Sequence, residues 1–151
     1  MTFCLILLFL TTNLFAKELL TEIVISDGDS VKGKLSNELI KIRLAEIDAP
    51  ELNQPFGFNS KNCLKSLIKK SKGEVFFKFK EKDRYERHVG WIYSKNLDIN
   101  LEMVKSGCAW AYDRYVEREV LFKHQDFAKE KKIGLWENDK AIEPWKWRQL
   151  N

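Results

Sequence analysis

The alternation of apolar and polar residues predicts five short strands. Runs such as TEIVIS and EVFFKFK are rich in β-branched and aromatic residues and are bounded by Gly, Asn or Asp, which is typical of strands. Apolar and polar residues alternate in the third run, LIKIRLAEI, which favours a strand with one buried face. The five predicted strands are Thr21–Ser26, Val31–Leu35, Leu39–Ile47, Glu74–Lys80 and Val89–Tyr93.

The third strand has the strongest alternation. Its period of two places Leu39, Lys41, Arg43, Ala45 and Ile47 on one side. The strand should stop before Pro50, since proline lacks the N–H that a strand pairing needs.

Apolar residues recur at helical spacing in three other segments. Asn59 or Ser60 could cap a helix that runs to about Ser71, and Gly107 would end a short helix over Asn100–Ser106. A longer helix is predicted over Val116–Lys132. We place Val116, Val120, Leu121 and Phe127 on its core side, and expect the Trp-rich tail after it to be irregular.

The order of these elements predicts an α+β protein with a mainly β core. Five short antiparallel-type strands interrupted by a helix fit a five-stranded OB-fold barrel on which about three helices pack. The OB-fold is a frequent frame for nucleic-acid binding.

The N-terminus has the features of an export signal. The first sixteen residues, MTFCLILLFLTTNLFA, carry no charged side chain and are too few to span a bilayer, which needs ~20 apolar residues. We expect a signal peptide at residues 1–16, an uncleaved N-terminal anchor being the alternative, and a single domain at 17–151. The mature protein would be periplasmic or secreted.

Cleavage after Ala16 would leave two cysteines, Cys63 and Cys108. In an exported chain an even pair permits a disulfide. Two buried free thiols are the alternative, because the sequence does not give the distance between them.

Charge is unevenly distributed along a chain of net charge +4. Residues 61–90 contain ten Lys or Arg against four Asp or Glu, whereas residues 17–54 contain five basic and eight acidic residues. A basic region favours polyanions such as nucleic acid, although a solvated lysine-rich face would have the same composition.

The acidic region contains the candidate chemistry. Asp29 lies in a predicted turn, Asp48 ends the third strand and Glu51 follows Pro50. Asp29, Asp48 and the Ala49 carbonyl could hold a hard cation such as Ca²⁺, which prefers oxygen ligands. Each motif alone is more typical of an ordinary turn.

Two arginines stand near these carboxylates in the sequence. Arg43 interrupts an apolar strand and Arg87 precedes the last one. A planar guanidinium binds phosphate through two parallel hydrogen bonds. A structural ion pair for Arg43 and an exposed loop position for Arg87 are the alternatives.

Taken together, these motifs resemble the staphylococcal nuclease family. The resemblance rests on DGDS, IRLAEIDAPE, DRYER before GWIY, GCAWAYDRY and GLW, in order between Thr21 and Trp136. The PWKWR tail is similar to that of exported bacterial members. The chain differs at Ala49, where some members have Thr, at Ser30, also a Thr elsewhere, and at Glu86, where Gly is common.

The resemblance implies roles for individual residues. Asp29, Asp48 and the Ala49 carbonyl would bind Ca²⁺, Arg43 and Arg87 would bind phosphate, and Glu51 would be the general base. The residues implied in substrate binding are Arg84, Tyr85, Tyr112 and Tyr115.

The implied function is Ca²⁺-dependent cleavage of DNA and RNA, single strands being favoured as substrates, by a monomer that leaves 3′-phosphate ends. One alternative is a non-catalytic nucleic-acid-binding protein on the same frame. Another is an exported structural or adhesion protein whose basic face binds polyanions.

Overall fold

The computed structural model describes residues 16–72, 74–95 and 97–150. The predicted signal peptide lies outside this part, apart from Ala16. Nine strands are described: β1 (Glu18–Leu19), β2 (Thr21–Ile25), β3 (Ser30–Leu35), β4 (Glu38–Leu44), β5 (Ile47–Asp48), β6 (Val75–Lys82), β7 (His88–Ser94), β8 (Leu97–Asp98) and β9 (Trp110–Ala111). The helices are α1 (Gly57–Lys70), α2 (Ile99–Lys105), α3 (Val120–Glu130), a 3₁₀ turn (Gly134–Glu137) and α4 (Pro144–Leu150).

The main sheet has the strand order β1-β6-β7-β4-β3-β2, and β8 pairs with β7. Every pairing in it is antiparallel except that of β4 with β7, where Ile42 lies opposite His88 and Arg43 opposite Val89. The hydrogen-bonded order of the described strands does not close into a ring. The architecture is nevertheless the expected α+β fold with a mainly β, OB-like core.

The third predicted strand is divided in two. β4 ends at Leu44, the chain turns at Ala45 and Glu46, and β5 begins at Ile47 and pairs with β9. Glu46 adopts a left-handed conformation with φ 67°. Because of this turn, the prediction that Ala45 and Ile47 lie on the side of Leu39 and Lys41 was wrong. Ala45 and Ile47 are buried, whereas Leu39 and Lys41 are exposed.

Two elements after α2 also differ from the expectation. α3 begins at Val120 rather than Val116, and its buried face consists of Leu121, Gln125 and Ala128. Phe127 is 50% exposed, so its placement in the core was wrong, and Val120 is exposed as well. The tail is not wholly irregular, since Pro144 starts α4 at the first helical position, where a missing N–H does no harm.

The helices pack around one large apolar core and one smaller aromatic core. Val31, Ile42, Leu44, Phe77 and Ile92 are among the buried residues that the sheet contributes to the large core. The smaller core contains Trp110, Ala128, Leu135 and Trp136, with Phe56, Ile133, Ala141 and Trp145 packed against it.

A disulfide joins α1 to the loop before β9. The Cα atoms of Cys63 and Cys108 are 6.4 Å apart and their sulfur atoms are bonded. Across residues 16–72, 74–95 and 97–150, no helix combines the length and apolarity that crossing a membrane requires.

Candidate active site

A tight turn between β2 and β3 presents Asp29 to the site. The Asp29 N–H donates to Asp27 Oδ1 (3.0 Å), and the buried Asp29 carboxylate accepts from the Ala49 N–H at 2.6 Å. Gly28 lets this turn approach α1 closely: a Cβ there would lie 2.0 Å from Ser60 Oγ and 2.6 Å from Ala49 Cβ. The turn is thereby held against the segment that follows β5.

Arg43 joins Asp29 to Asp48. Its Nη2 lies 3.1 Å from Asp29 Oδ2 and 2.8 Å from Asp48 Oδ1. Its Nη1 donates to the carbonyls of Leu44 (2.8 Å) and Ile47 (2.9 Å) on either side of the turn that ends β4. The break between β4 and β5 is therefore what allows one guanidinium to reach both carboxylates.

Glu51 lies at the outer edge of the same group. Its backbone carbonyl accepts from the Gln54 N–H (2.8 Å), and Gln54 Oε1 accepts from the Glu51 N–H (3.1 Å). A Cβ on Gly57 would lie 1.9 Å from the Glu51 carbonyl oxygen, so α1 begins directly against this backbone. Asp29, Asp48 and Glu51 are hereafter the acidic cluster.

Arg87 lies in the loop between β6 and β7. Its Nε donates to Asp83 Oδ2 (2.7 Å), and its N–H donates to Asp83 Oδ1 (3.0 Å). Arg87 directly precedes β7. That strand pairs in parallel with β4, which carries Arg43. The Arg87 guanidinium forms an ion pair with Asp83, and within residues 16–72, 74–95 and 97–150 no ion pair joins it to the acidic cluster.

Glu86, just before Arg87, has φ 60°, in the left-handed region that favours glycine. Tyr85 is exposed, with the guanidinium carbons of Arg84 and Arg87 at 4.9 Å and 5.6 Å from its ring centroid. This loop therefore presents two cations and an aromatic ring to solvent.

The other two tyrosines implied in substrate binding, Tyr112 and Tyr115, lie together between β9 and α3. The rings of Tyr112 and Tyr115 meet edge to face with centroids 4.9 Å apart. Tyr115 is exposed, whereas Tyr112 is stacked on Trp145 of α4 at 5.1 Å with an interplanar angle of 9°. A face of Tyr112 that was predicted to accept a base is thus covered by a side chain of the same protein.

Sequence reasoning missed Arg148. Its Nη2 lies 2.8 Å from Asp48 Oδ2, and its Nη1 lies 2.7 Å from Glu51 Oε1 and 3.2 Å from Asp48 Oδ1. It reaches the cluster from the last turn of α4, across about a hundred residues of sequence. The PWKWR motif was the available signal, but it gives no indication of where the tail docks.

Burial and charge act in opposite directions on the groups of the cluster. Burial raises the pKa of Asp29 to about 7, against the opposing effects of Arg43 and of the hydrogen bond from the Ala49 N–H. Burial disfavours the charged form of Arg148, but the hydrogen bonds that Arg148 donates to Asp48 and Glu51 outweigh burial and raise the pKa of Arg148 above its ordinary value.

The oxygen donors of the cluster fit a hard cation. Asp29 and Asp48 are close enough to share one guanidinium nitrogen, and the Ala49 backbone follows directly. No group of three or more His, Cys, Asp and Glu side chains in the described ranges has the arrangement of a metal cluster. A bound ion would therefore complete its coordination with backbone carbonyl and water oxygens, as Ca²⁺ commonly does.

Comparison with known proteins identifies the family. The family model described as "Staphylococcal nuclease homologue" matches residues 41–138, which hold Arg43, Asp48, Glu51 and Arg87. The chain belongs to the staphylococcal nuclease family. Asp29 and Arg148 lie outside the matched range, so the family match does not bear on them.

Proteins of known sequence extend the similarity over most of the chain. An "Uncharacterized endonuclease" of Haemophilus influenzae is 46% identical over 129 residues, 83% of this chain and 70% of that protein. A "Micrococcal nuclease" of Shigella flexneri is 36% identical over 139 residues, 84% of this chain and 78% of that protein. The chain is accordingly a nuclease, a hydrolase of the phosphodiester bonds of nucleic acid.

Proposed function

We propose that this nuclease is calcium-dependent, hydrolyses both DNA and RNA with low sequence specificity, favours single strands and leaves 3′-phosphate ends. The observation that carries the proposal is the contact of one guanidinium, that of Arg43, with both Asp29 and Asp48 beside Glu51. It combines the oxygen donors of a hard-cation site with a phosphate-binding group.

Each residue has a separate part in the proposed reaction. Asp29, Asp48 and the Ala49 carbonyl would hold Ca²⁺, which when bound polarises a phosphate oxygen. Arg43 and Arg87 would donate to the other phosphate oxygens, and these bonds would strengthen as charge develops. Arg87 must then turn from Asp83, which its partly exposed side chain allows.

Glu51 would orient the attacking water and take its proton. Its carboxylate is the most exposed of the acidic cluster, so water reaches it readily. The P–O5′ bond would then break, the 5′-oxygen would leave as a hydroxyl with a proton from solvent, and the phosphate would stay on the 3′-oxygen. Tyr85 and Tyr115, both exposed, offer ring faces to the bases, a contact that tolerates any sequence.

We also propose that the chain is exported and acts as a monomer. The Cys63–Cys108 disulfide supports export, because such bonds persist in oxidising compartments. Fractionation of cells that express the full chain, together with the mass of the mature protein, tests export. A mature protein beginning at Lys17 outside the cytoplasm is expected, and a reduced cytoplasmic protein would contradict it.

Single-stranded DNA and RNA of mixed sequence, incubated with the protein in Ca²⁺ or in EGTA, test the reaction. Both polymers should shorten in Ca²⁺ but not in EGTA. Because the products should carry 3′-phosphates, a polymerase should extend them only after phosphatase treatment. Glu51→Gln should slow cleavage by about 10²–10⁴-fold while binding persists. Cleavage that survives EGTA, or ends that extend without phosphatase, would refute the calcium mechanism or the product assignment respectively.

A further inference from the structure

The C-terminal helix places a cation on Asp48, a carboxylate that the proposed metal would use, and on Glu51 beside it. Arg148 makes three hydrogen bonds to Asp48 and Glu51. Both oxygens of Asp48 accept from it, and Oδ1 accepts from Arg43 as well. A carboxylate of 1% exposure thus accepts three hydrogen bonds from two guanidinium groups.

A divalent cation and this guanidinium exclude each other. The ion needs lone pairs of Asp48 that Arg148 now uses, and at contact distance the two like charges repel with little screening. We propose that Arg148 is the resident cation of the acidic cluster in the metal-free enzyme, and that metal binding displaces Arg148 and releases α4. This inference rests on the proposed metal dependence.

The attachment of α4 is suited to release. The helix has seven residues, too few to be stable alone in water, so its order depends on its contacts. Besides Arg148, those contacts include Trp145, stacked on Tyr112 and edge-on to Trp110 at 5.8 Å. The Arg148 side chain is already 42% exposed, so leaving the carboxylates requires little change in its solvation.

Release would clear two parts of the site together. Arg148 covers the cluster and Trp145 covers a face of Tyr112, and both belong to α4. Metal binding would thereby be coupled to exposure of an aromatic surface suited to a nucleic-acid base. Arg148 would be a residue that sets metal affinity, not one that acts on phosphorus.

Calcium titration calorimetry on the full-length wild-type protein, Arg148→Gln, Arg148→Lys and Lys146→Gln tests the proposal. Lys146→Gln is the matched control. It removes the same charge from the same helix, but Lys146 pairs with Glu143 rather than with the acidic cluster. Arg148→Gln should bind Ca²⁺ about tenfold more tightly than wild type, given the strength of charge-assisted hydrogen bonds. Arg148→Lys should fall between them, and Lys146→Gln should match wild type.

Amide hydrogen exchange of residues 145–150 gives a second readout. Calcium should accelerate exchange there in the wild-type protein, and Arg148→Gln should exchange fast with or without calcium. Equal calcium affinities of wild type and Arg148→Gln, or slower hydrogen exchange of α4 in calcium, would overturn the role proposed for Arg148. Neither result would bear on the metal site. Absence of calcium binding in every variant would instead remove the metal site itself, and with it the proposed calcium dependence.

Discussion

Two clusters in this protein pair buried carboxylates with arginine, and their environments differ. In the acidic cluster, Asp29 is buried and its pKa is raised to about 7. In the other cluster, Glu46 is also buried, but burial is outweighed there by hydrogen bonds from Trp91, Glu117 and Arg118, which lower the pKa of Glu46.

Neighbouring charges and hydrogen-bond donors both contribute to the difference: Asp27 and Asp48 raise the pKa of Asp29 further, whereas the donors around Glu46 lower its pKa. Glu46 accepts from Trp91 Nε1 (2.6 Å), the N–H groups of Glu117 (3.0 Å) and Arg118 (2.9 Å), and Arg118 Nε (2.5 Å). Arg118 also bonds Asp98, which caps α2 through the Leu101 N–H. A carboxylate satisfied in this way supports the fold, whereas neighbouring buried carboxylates, one of which has a raised pKa, are typical of a functional site.

The first way to test this contrast is to remove the arginine of the acidic cluster. Arg43→Ala should lower the rate of single-stranded DNA cleavage in saturating Ca²⁺ by about 10²–10³-fold, since a donor to the developing charge is lost. Rates are normalised to the folded fraction, because Asp29 and Asp48 lose their shared partner. Lys41→Ala, on the same strand and exposed, is the control, and a loss below tenfold for Arg43→Ala would contradict the assignment.

Removing the arginine of the other cluster should affect stability instead. Arg118→Ala should lower the free energy of unfolding by about 3 kcal/mol, because Glu46 is left buried with fewer partners. Urea denaturation measures this, with Lys123→Ala, exposed on α3, as the control. Cleavage per folded molecule should stay at the wild-type rate. A loss of activity without a loss of stability would show that Arg118 takes part in the reaction and would contradict a purely structural role for the Glu46 cluster.

The sequence predicted the parts of the site that lie close together along the chain. Asp48 and Glu51 are three residues apart, and Arg43 precedes Asp48 by five, so a strand and a turn suffice to bring them together. Asp29 was predictable because a short hairpin joins β3 to β4, with Ser30 opposite Arg43.

Contacts between distant segments were not predictable. Arg148 reaches Asp48 only because Trp145 docks on the aromatic core, which no local pattern indicates. The turn at Ala45 is held in part by Asn100 of α2, whose side chain donates to the carbonyls of Ala45 (2.9 Å) and Gly90 (3.1 Å). Alternation alone therefore predicted one continuous strand there.

A third test follows the stability of the Glu46 cluster with pH. The pKa of Glu46 is lower in the folded protein than unfolded, so its contribution is full above the unfolded pKa of ~4.3 and is lost as pH falls through the folded pKa. Glu46→Gln should therefore destabilise the protein by about 1–3 kcal/mol at pH 7. The difference from wild type, measured by urea denaturation, should shrink below about pH 4; a constant difference down to pH 3 would contradict it.

The smallest expected effect concerns Glu86, beside Arg87. In Glu86→Gly, relief of the left-handed backbone, worth about 1–2 kcal/mol, is largely offset by the greater unfolded-state freedom of glycine, about 0.5–1 kcal/mol. Stability should therefore rise by no more than about 1.5 kcal/mol. Loss of the negative charge should also tighten binding of a short oligonucleotide modestly, because the exposed Glu86 carboxylate, which lies 3.6 Å from Lys82 Nζ, no longer repels a phosphate near this loop.

Glu86→Gln separates the two causes, since it removes the charge but keeps the side chain in the left-handed conformation. Thermal denaturation should show a gain for Glu86→Gly only, whereas both variants should bind the oligonucleotide more tightly than wild type. A stability gain in Glu86→Gln equal to that in Glu86→Gly would locate the effect in charge rather than backbone. Unchanged binding in both would mean that this loop does not contact phosphate, and the phosphate-binding role proposed for Arg87 would fall with it.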